Sequence, residues 1–223
     1  METDTTPPTQ SRSEDTVRRL RSDIFLGALR PGALLAEASM ARQLGVSRVP
    51  VREALFTLER EGLVEFSATG RAYVKELVPH DFEELFILRL ALEPPAARLA
   101  APRLRANARA LEDNIEATAG ARSLAEVTHL DLDFHQIILE ASGQTRLAKL
   151  WRSLRSELQL WLERLHRTHE IQTKATRQKT LGAHRELVTC FKEEAPAAAE
   201  RVMRQHIQGW REWLPMPGDA QES

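Results

Sequence analysis

Apolar residues recur every three to four positions along almost the whole chain, and only the stretch from about 63 to 78 trades that period for one of two. A chain patterned this way folds as packed helices with a single small β element. The first helix fits "EDTVRRLRSDIFLGAL", with Val17, Leu20, Ile24 and Ala28 or Leu29 on one face, and "RPG" at 30–32 ends it. A short helix is predicted from Glu37 to Leu44, stopped by Gly45. Ser47 then stands as N-cap to "RVPVREALFTLEREG", where Pro50 is tolerated in the first turn and Gly62 closes the helix. "LVEFS" and "AYVKELV" alternate as strands do, with "ATGR" as the turn between them. Three helices and a β-hairpin in this order make one compact module.

"VPHD" at 78–81 is the predicted boundary, with Asp81 able to cap the next helix. From there to Leu214 the pattern is helical, giving six or so helices. Breaks are expected near "APR" (101–103), "AGARS" (119–123), "SGQT" (142–145), "HRTHEIQTKATRQ" (166–178) and "EEAP" (193–196). Pro94-Pro95 should kink or restart the first of these helices. The expected fold class is mainly α, an N-terminal helix-turn-helix module with a wing followed by an all-α bundle. Residues 1–13 read as a disordered polar tail, 14–77 as the first domain, 78–214 as the second and 215–223 as a short tail. No internal repeat and no sustained heptad pattern is present.

The 31 Lys/Arg and 32 Asp/Glu nearly cancel, so net charge does not announce a partner. Its distribution says slightly more: residues 12–75 hold 11 basic against 8 acidic side chains, and residues 76–223 hold 20 against 22. The front is the part suited to an anionic partner. Cys190 is the only cysteine, in the apolar run "LVTCF", which reads as a buried thiol in a reducing cytoplasm. No run of about 18 apolar residues exists to span a membrane, and the N-terminus lacks the order of a signal peptide.

In the front module, Arg48 and Arg52 are four apart and share a face of the second helix of the helix-turn-helix. The first turns of such a helix enter the major groove, where arginine pairs with guanine O6 and N7. Ser47 and the open backbone N–H groups beside it suit a phosphate, and Arg71 next to Gly70 at the hairpin tip can reach a minor groove or backbone. The bland alternative is that both arginines are solvated or paired with a Glu such as Glu53. The segment "RPGALLAEASMARQLGVSRVPVREALFTLEREGLVEFSATGRAYV" resembles the winged helix-turn-helix domain of GntR-type bacterial transcription regulators. That resemblance implies double-stranded DNA as partner and puts Ser47, Arg48, Arg52 and Gly70 on DNA-contact positions. It also implies a missing contact, because Ala38 follows Glu37 where a polar or basic residue is usual.

Seven histidines are available: His80, His129, His135, His166, His169, His184 and His206. Asp131 and His135 are i and i+4 on one helix face, while Asp133 lies about 160° away from His135 and drops out as a ligand. His184 in "LGAHRELVTCF" and His206 in "AERVMRQHIQGWREWL" sit on or beside apolar faces. Three helices thus each aim an imidazole into the bundle. Imidazoles with one carboxylate suit Zn²⁺, Ni²⁺, Mn²⁺ or Fe²⁺, with zinc the foremost expectation. "LRLALEPPAARLAA", "DLDFHQIILEASGQ", "AHREL" and "RVMRQH" resemble the effector-binding FCD domain of the FadR-type subgroup of GntR regulators. Carried over by position, the metal ligands implied are Asp131, His135, His184 and His206. Gln144 departs from the Asn that ends "ASG" in other members. The resemblance also implies a homodimer on a short inverted repeat, a repressor that responds to a small organic acid. Arg89 is the expected carboxylate clamp, against the alternative of an intrahelical pair with Glu93 four residues on. The competing function is a metal-dependent hydrolase, for which the sequence offers no HExxH and only Glu140 and Glu186 as nearby bases.

Overall fold

The structure, a computed structural model, describes residues 9–168 and 172–213, with the side chains of 12–164 and 172–209. His166, His169, Leu214 and the tail 215–223 lie outside the described residues or side chains. The chain divides between Leu77 and Val78 into two compact units.

The first unit holds α1 (Thr9–Phe25), α2 (Glu37–Leu44), α3 (Arg48–Arg60), β1 (Val64–Phe66) and β2 (Ala72–Val74). Val17, Leu20 and Ile24 of α1 are buried against a face of α3 that carries Val51, Ala54, Leu55 and Leu58. The α1 helix differs from its expected bounds at both ends. It begins at Thr9, so residues 9–13 are helical and not tail. Extending a formed helix adds one bond per residue fixed, and Thr16 Oγ1 bonds back to the Arg12 carbonyl at 2.7 Å. It stops at Phe25, leaving Ala28 exposed, because Gly27 turns the chain at φ +75°. Gly62 ends α3 with φ +71°, donating to the Glu59 carbonyl at 2.9 Å while Leu63 donates to Leu58 at 2.9 Å, the paired bonds of a Schellman end.

The hairpin is antiparallel, with Val64 opposite Val74 and Phe66 opposite Ala72. It is joined by a third short segment that alternation did not reveal. Leu34 bridges Tyr73, Leu35 donates to the Ala72 carbonyl at 2.8 Å, and Val74 donates to Ala33 at 3.0 Å. Phe56 of α3 stacks on Phe66 of β1 at 5.1 Å, fixing the wing to the helix.

The second unit holds α4 (Pro79–Ala106), α5 (Arg109–Gly120), α6 (Leu124–Ala141), α7 (Thr145–Thr168), α8 (Thr173–Glu193) and α9 (Pro196–Trp213). Nine helices are thus present among the described residues. Asp81 acts as third residue of α4 and not as its N-cap, accepting from the Val78 N–H at 2.7 Å. The expected restart at Pro94-Pro95 and break at 101–103 do not occur: α4 runs unbroken through Pro94, Pro95 and Pro102. Each proline removes a backbone bond. Ala96, Ala97, Ala100 and Ala101 are fully or almost fully buried around them, and that packing overrides the local preference. α4 packs most extensively on α9, and also lines α6, α7 and α8.

α6 starts on a reciprocal cap: Glu126 N–H donates to Ser123 Oγ and Ser123 N–H to Glu126 Oε2, both at 3.2 Å. It buries two adjacent stripes, Leu132 and Leu139 toward α7 and Phe134 and Ile138 toward α8 and α9. Asp131 and His135 lie between those stripes. Gly143 closes the helix with φ +73°, the Arg103 guanidinium lying where a β-carbon would sit and donating to the Ala141 carbonyl at 2.8 Å.

Candidate metal centre and nucleic-acid interface

Asp131, His135, His184 and His206 meet, offering ligand atoms that all lie within 4.8 Å of one another. Donors held about 2.0–2.2 Å from one ion fall roughly 3–4.4 Å apart, so the set fits a divalent cation. His135 and His184 are fully buried, and His206 is half-buried. His135 Nε2 lies 3.1 Å from His206 Nε2, and His184 Nε2 lies 3.2 Å from Asp131 Oδ1 without the alignment of a hydrogen bond. Phe134 stacks flat on the His184 ring at 3.7 Å and fixes its plane.

Behind the cluster stands a pair with no solvent exposure, Arg89 and Glu93. Arg89 Nε donates to Glu93 Oε1 at 2.6 Å, so the i,i+4 pair that the spacing offered is formed. Glu93 Oε2 lies 2.5 Å from His135 Nδ1, which leaves the Nε2 of that ring facing the other ligands. Arg89 Nη2 also reaches to 3.2 Å from His135 Nε2, and its guanidinium lies over Trp151 at 5.6 Å.

The electrostatics favour a cation-ready state. Burial alone would raise the Glu93 carboxyl, but Arg89 and His135 overcome it and hold it at about 2. Burial likewise opposes charge on Asp131, and His184, His135 and Arg89 hold its carboxyl well below the usual carboxylate range. Burial pushes His184 down, and pushes His206 well down with help from His135 and His184. Neutral imidazoles and ionised carboxylates are the forms that bind metals. A cavity of about 250 Å³ opens onto Asp131 and His206, walled by Lys179, Thr180, Ala183, Gln205 and Gly209.

Asp133 points away from the cluster, its Oδ1 accepting from Arg155 Nη1 at 2.5 Å. His80 and His129 are exposed and sit 3.3 Å from Glu84 and 3.4 Å from Asp133. Gln144 is exposed, and its backbone carbonyl accepts from Ala148 at 3.1 Å. Cys190 is buried, and burial raises its thiol.

In the first unit Arg48, Arg52, Gly70 and Arg71 line one hollow with Glu37 and Ala38. Ser47, Arg48 and Val49 are exposed at the start of α3, and Ser47 makes no side-chain capping bond. The arginines are paired, but with Glu37 of α2 and not with Glu53. Arg52 donates twice, at 2.7 and 3.0 Å, and Arg48 once at 3.4 Å. The Arg52 bonds, then charge from both arginines, lower the Glu37 carboxyl. Gly70 has φ +73° and donates to the Ser67 carbonyl at 2.8 Å, placing exposed Arg71 at the hairpin tip.

The family model for bacterial regulatory proteins of the gntR family matches residues 12–74, and that for the FCD domain matches residues 84–209. The chain belongs to the GntR family.

This GntR-family regulator is 30% identical over 203 residues to an uncharacterized HTH-type transcriptional regulator in an unstable DNA locus of Streptomyces ambofaciens, covering 89% of the chain and 83% of that protein. It is 28% identical over 205 residues to the HTH-type transcriptional repressor RspR of Escherichia coli (strain K12), covering 90% and 88%. Against the uncharacterized regulator YdhC of Bacillus subtilis (strain 168) it is 28% identical over 137 residues, 59% of the chain and 61% of that protein. The solved structure of E. coli McbR/YncC shares its fold, with a TM-score of 0.72 at 22% identity over 91% of this chain and 96% of the other.

The three sequence relatives carry the names of HTH-type transcriptional regulators or repressors, and the hydrolase alternative finds no support in them or in the site. Glu140 and Glu186 are both exposed, Glu140 being bound to Gln136 and Arg152. No described helix of the GntR-family chain is long and apolar enough to cross a membrane. Sequence reasoning passed over three residues at these sites: Glu93 as partner of His135, Glu37 as tether of the arginines, and Val49, 58% exposed at the reading end of α3. The SLAE signature at 123–126, which fixes where α6 begins, was visible and would have sharpened the phase of Asp131.

Proposed function

We propose that this chain is a cytoplasmic repressor of the FadR subgroup, acting as a homodimer on a short inverted-repeat operator and released or tightened by a small carboxylate. The observation that carries the reading is the meeting of one aspartate and three histidines beside an open cavity that reaches Asp131 and His206, in a chain whose first unit matches the gntR-family model. His135, His184 and His206 with Asp131 hold a divalent cation, zinc foremost and nickel, manganese or iron also suited to the donor set. The cation supplies Lewis-acid positions for carboxylate oxygens. Glu93 holds His135 in the ligating tautomer. In this reading Arg89, buried in its pair with Glu93 and 3.2 Å from His135 Nε2, takes one oxygen of the effector carboxylate, and Lys179, Thr180 and Gln205 line the cavity through which the effector enters.

On DNA, Arg48 and Arg52 read base edges from the first turns of α3. Ser47 takes a phosphate, and Gly70 lets the hairpin tip approach so that Arg71 reaches the groove or backbone. Val49 is suited to a thymine methyl. The two-fold protein matches a two-fold operator. The effector acts by binding the DNA-free and DNA-bound states with different affinity. Fluorescence anisotropy of the metal-loaded protein on its operator, titrated with a panel of small carboxylic acids, tests this. At least one acid should move operator affinity severalfold, and the same acid should leave a His184→Ala protein unmoved. Operator affinity indifferent to every acid would sink the switch.

A further inference from the structure

A carboxylate lies among the side chains proposed to meet DNA, a place where phosphates repel it. Glu37 shares one hollow with Arg48, Arg52 and Arg71. Its side chain is 24% exposed, against 66% for Arg48 and 58% for Arg52, so the acid is the sheltered member of the group. Its backbone is anchored on both sides. Glu37 opens α2, whose Met40 and Ala41 are buried and whose N-terminus favours a negative charge. Ser39 and Met40 donate to the Ala36 carbonyl just before it, at 2.9 and 3.0 Å. Leu35, two residues earlier, is buried and donates to the Ala72 carbonyl of the hairpin at 2.8 Å.

The edge by which Arg52 is held decides what it can still do. Its Nε donates to Glu37 Oε1 at 2.7 Å and its Nη2 to Glu37 Oε2 at 3.0 Å, which uses the side of the guanidinium fork. The end of the fork, made by Nη1 and the second N–H of Nη2, keeps its donors, and Glu37 is the one acceptor that Arg52 bonds among the described residues. Guanine O6 and N7 take a pair of parallel donors of that kind. Both bidentate pairs can therefore be made at once, one on each edge of a planar group. The bonds from Arg52 lower the Glu37 carboxyl and keep it ionised at neutral pH. Arg48 differs. Its one contact with Glu37 is 3.4 Å long, near the limit of a hydrogen bond, and leaves its fork able to turn.

We infer that Glu37 is a positioning residue for sequence reading: it stays on the side of Arg52 when the chain meets DNA, presents the end of that fork to a guanine, and keeps Arg52 from settling on a phosphate. The inference rests on the reading of α3 as the helix that meets base edges. A guanidinium oriented before contact loses less freedom on binding, and one already neutralised by a carboxylate gains less from a phosphate. Glu37 thus touches no base and still sets how sharply one base is told from another.

The full-length chain first selects a duplex from a randomised pool. That duplex and an unrelated one are the probes for anisotropy titrations at several salt concentrations. Each guanine of the selected duplex is replaced in turn by 7-deazaguanine, which lacks the N7 acceptor. One replacement should weaken the wild type about tenfold and leave Arg52→Ala unmoved, which marks the guanine that Arg52 reads. In Glu37→Gln, folded by circular dichroism, that penalty should shrink to about twofold or less, and the ratio of selected to unrelated affinity should fall about tenfold. Its affinity for the unrelated duplex should rise severalfold, with a salt slope steeper by about one, as the released Arg52 takes a phosphate. A guanine read through Arg48 should keep its penalty. If Glu37→Gln retains the full Arg52-dependent penalty, the inference is overturned and α3 remains the reading helix. A preference altered at a cytosine instead, the mark of a carboxylate that reads N4 itself, overturns it too. So does an equal loss on both duplexes, the mark of a damaged fold. If no guanine depends on Arg52, the assignment of Arg52 to base edges fails, and the inference fails with it.

Discussion

At the scale of single residues, the centre turns on helical phase. Asp131 and Asp133 are two apart, and that spacing sends one into the cluster and the other to Arg155. Asp131→Ala should therefore lower metal content by elemental analysis, and Asp133→Ala should leave it unchanged. Equal loss from both variants would mean that Asp133 supports the site in a way its contacts do not suggest. This much was legible in the sequence, because an i,i+4 relation is a property of one helix. Glu93 was not. Its four-residue spacing from Arg89 was visible, but its contact with His135 joins two helices, and no local pattern reports a contact between helices. The same holds for Glu37, which was read as the start of a helix and the residue before Ala38, and proves to bind both Arg48 and Arg52.

At the scale of elements, α2 was legible to the residue and α3 nearly so, because each C-terminal end carries a glycine stop. Gly45 and Gly62 both adopt positive φ where the helix must turn away. The segment 33–35 was missed because "ALL" is too short to show a period, and its pairing is dictated by the neighbouring strand. α4 was broken too early because proline is a local signal and alanine burial is not. The Glu37 tether sets an expectation for DNA binding. Arg48 and Arg52 must leave Glu37 or share it in order to read bases. Arg48→Ala and Arg52→Ala should each weaken specific operator binding about ten- to a hundredfold, read by anisotropy titration. Unchanged affinity for both would remove α3 as the reading helix.

At the scale of the whole molecule, proton linkage gathers several buried groups with one sign. His184 and His206 are pushed below their unfolded value of about 6.5, so below that pH the unfolded chain binds more protons than the folded one. Glu93, held at about 2, and Asp131 add a second loss below the usual carboxylate range near about 4. Stability of the metal-free protein should be greatest above about pH 6.5, fall steadily as the pH drops below that value, and fall more steeply below about pH 4. Melting temperatures across pH 4–8 check this, and a flat or rising profile toward acid would contradict the burial of neutral histidines.

The packing of α4 on α9 has a bearing on how the second unit comes into being. Its first helix rests most heavily on its last, and the ligand set opened by Asp131 is completed only by His206. A chain leaving the ribosome can cover part of α4 with α6, α7 and α8, but the largest share of that helix's packing waits for α9, a contact distant in sequence. Capture of the ion is then a sign that synthesis has run through the last helix, and a nascent chain halted before residue 206 would bring an incomplete set of donors to it.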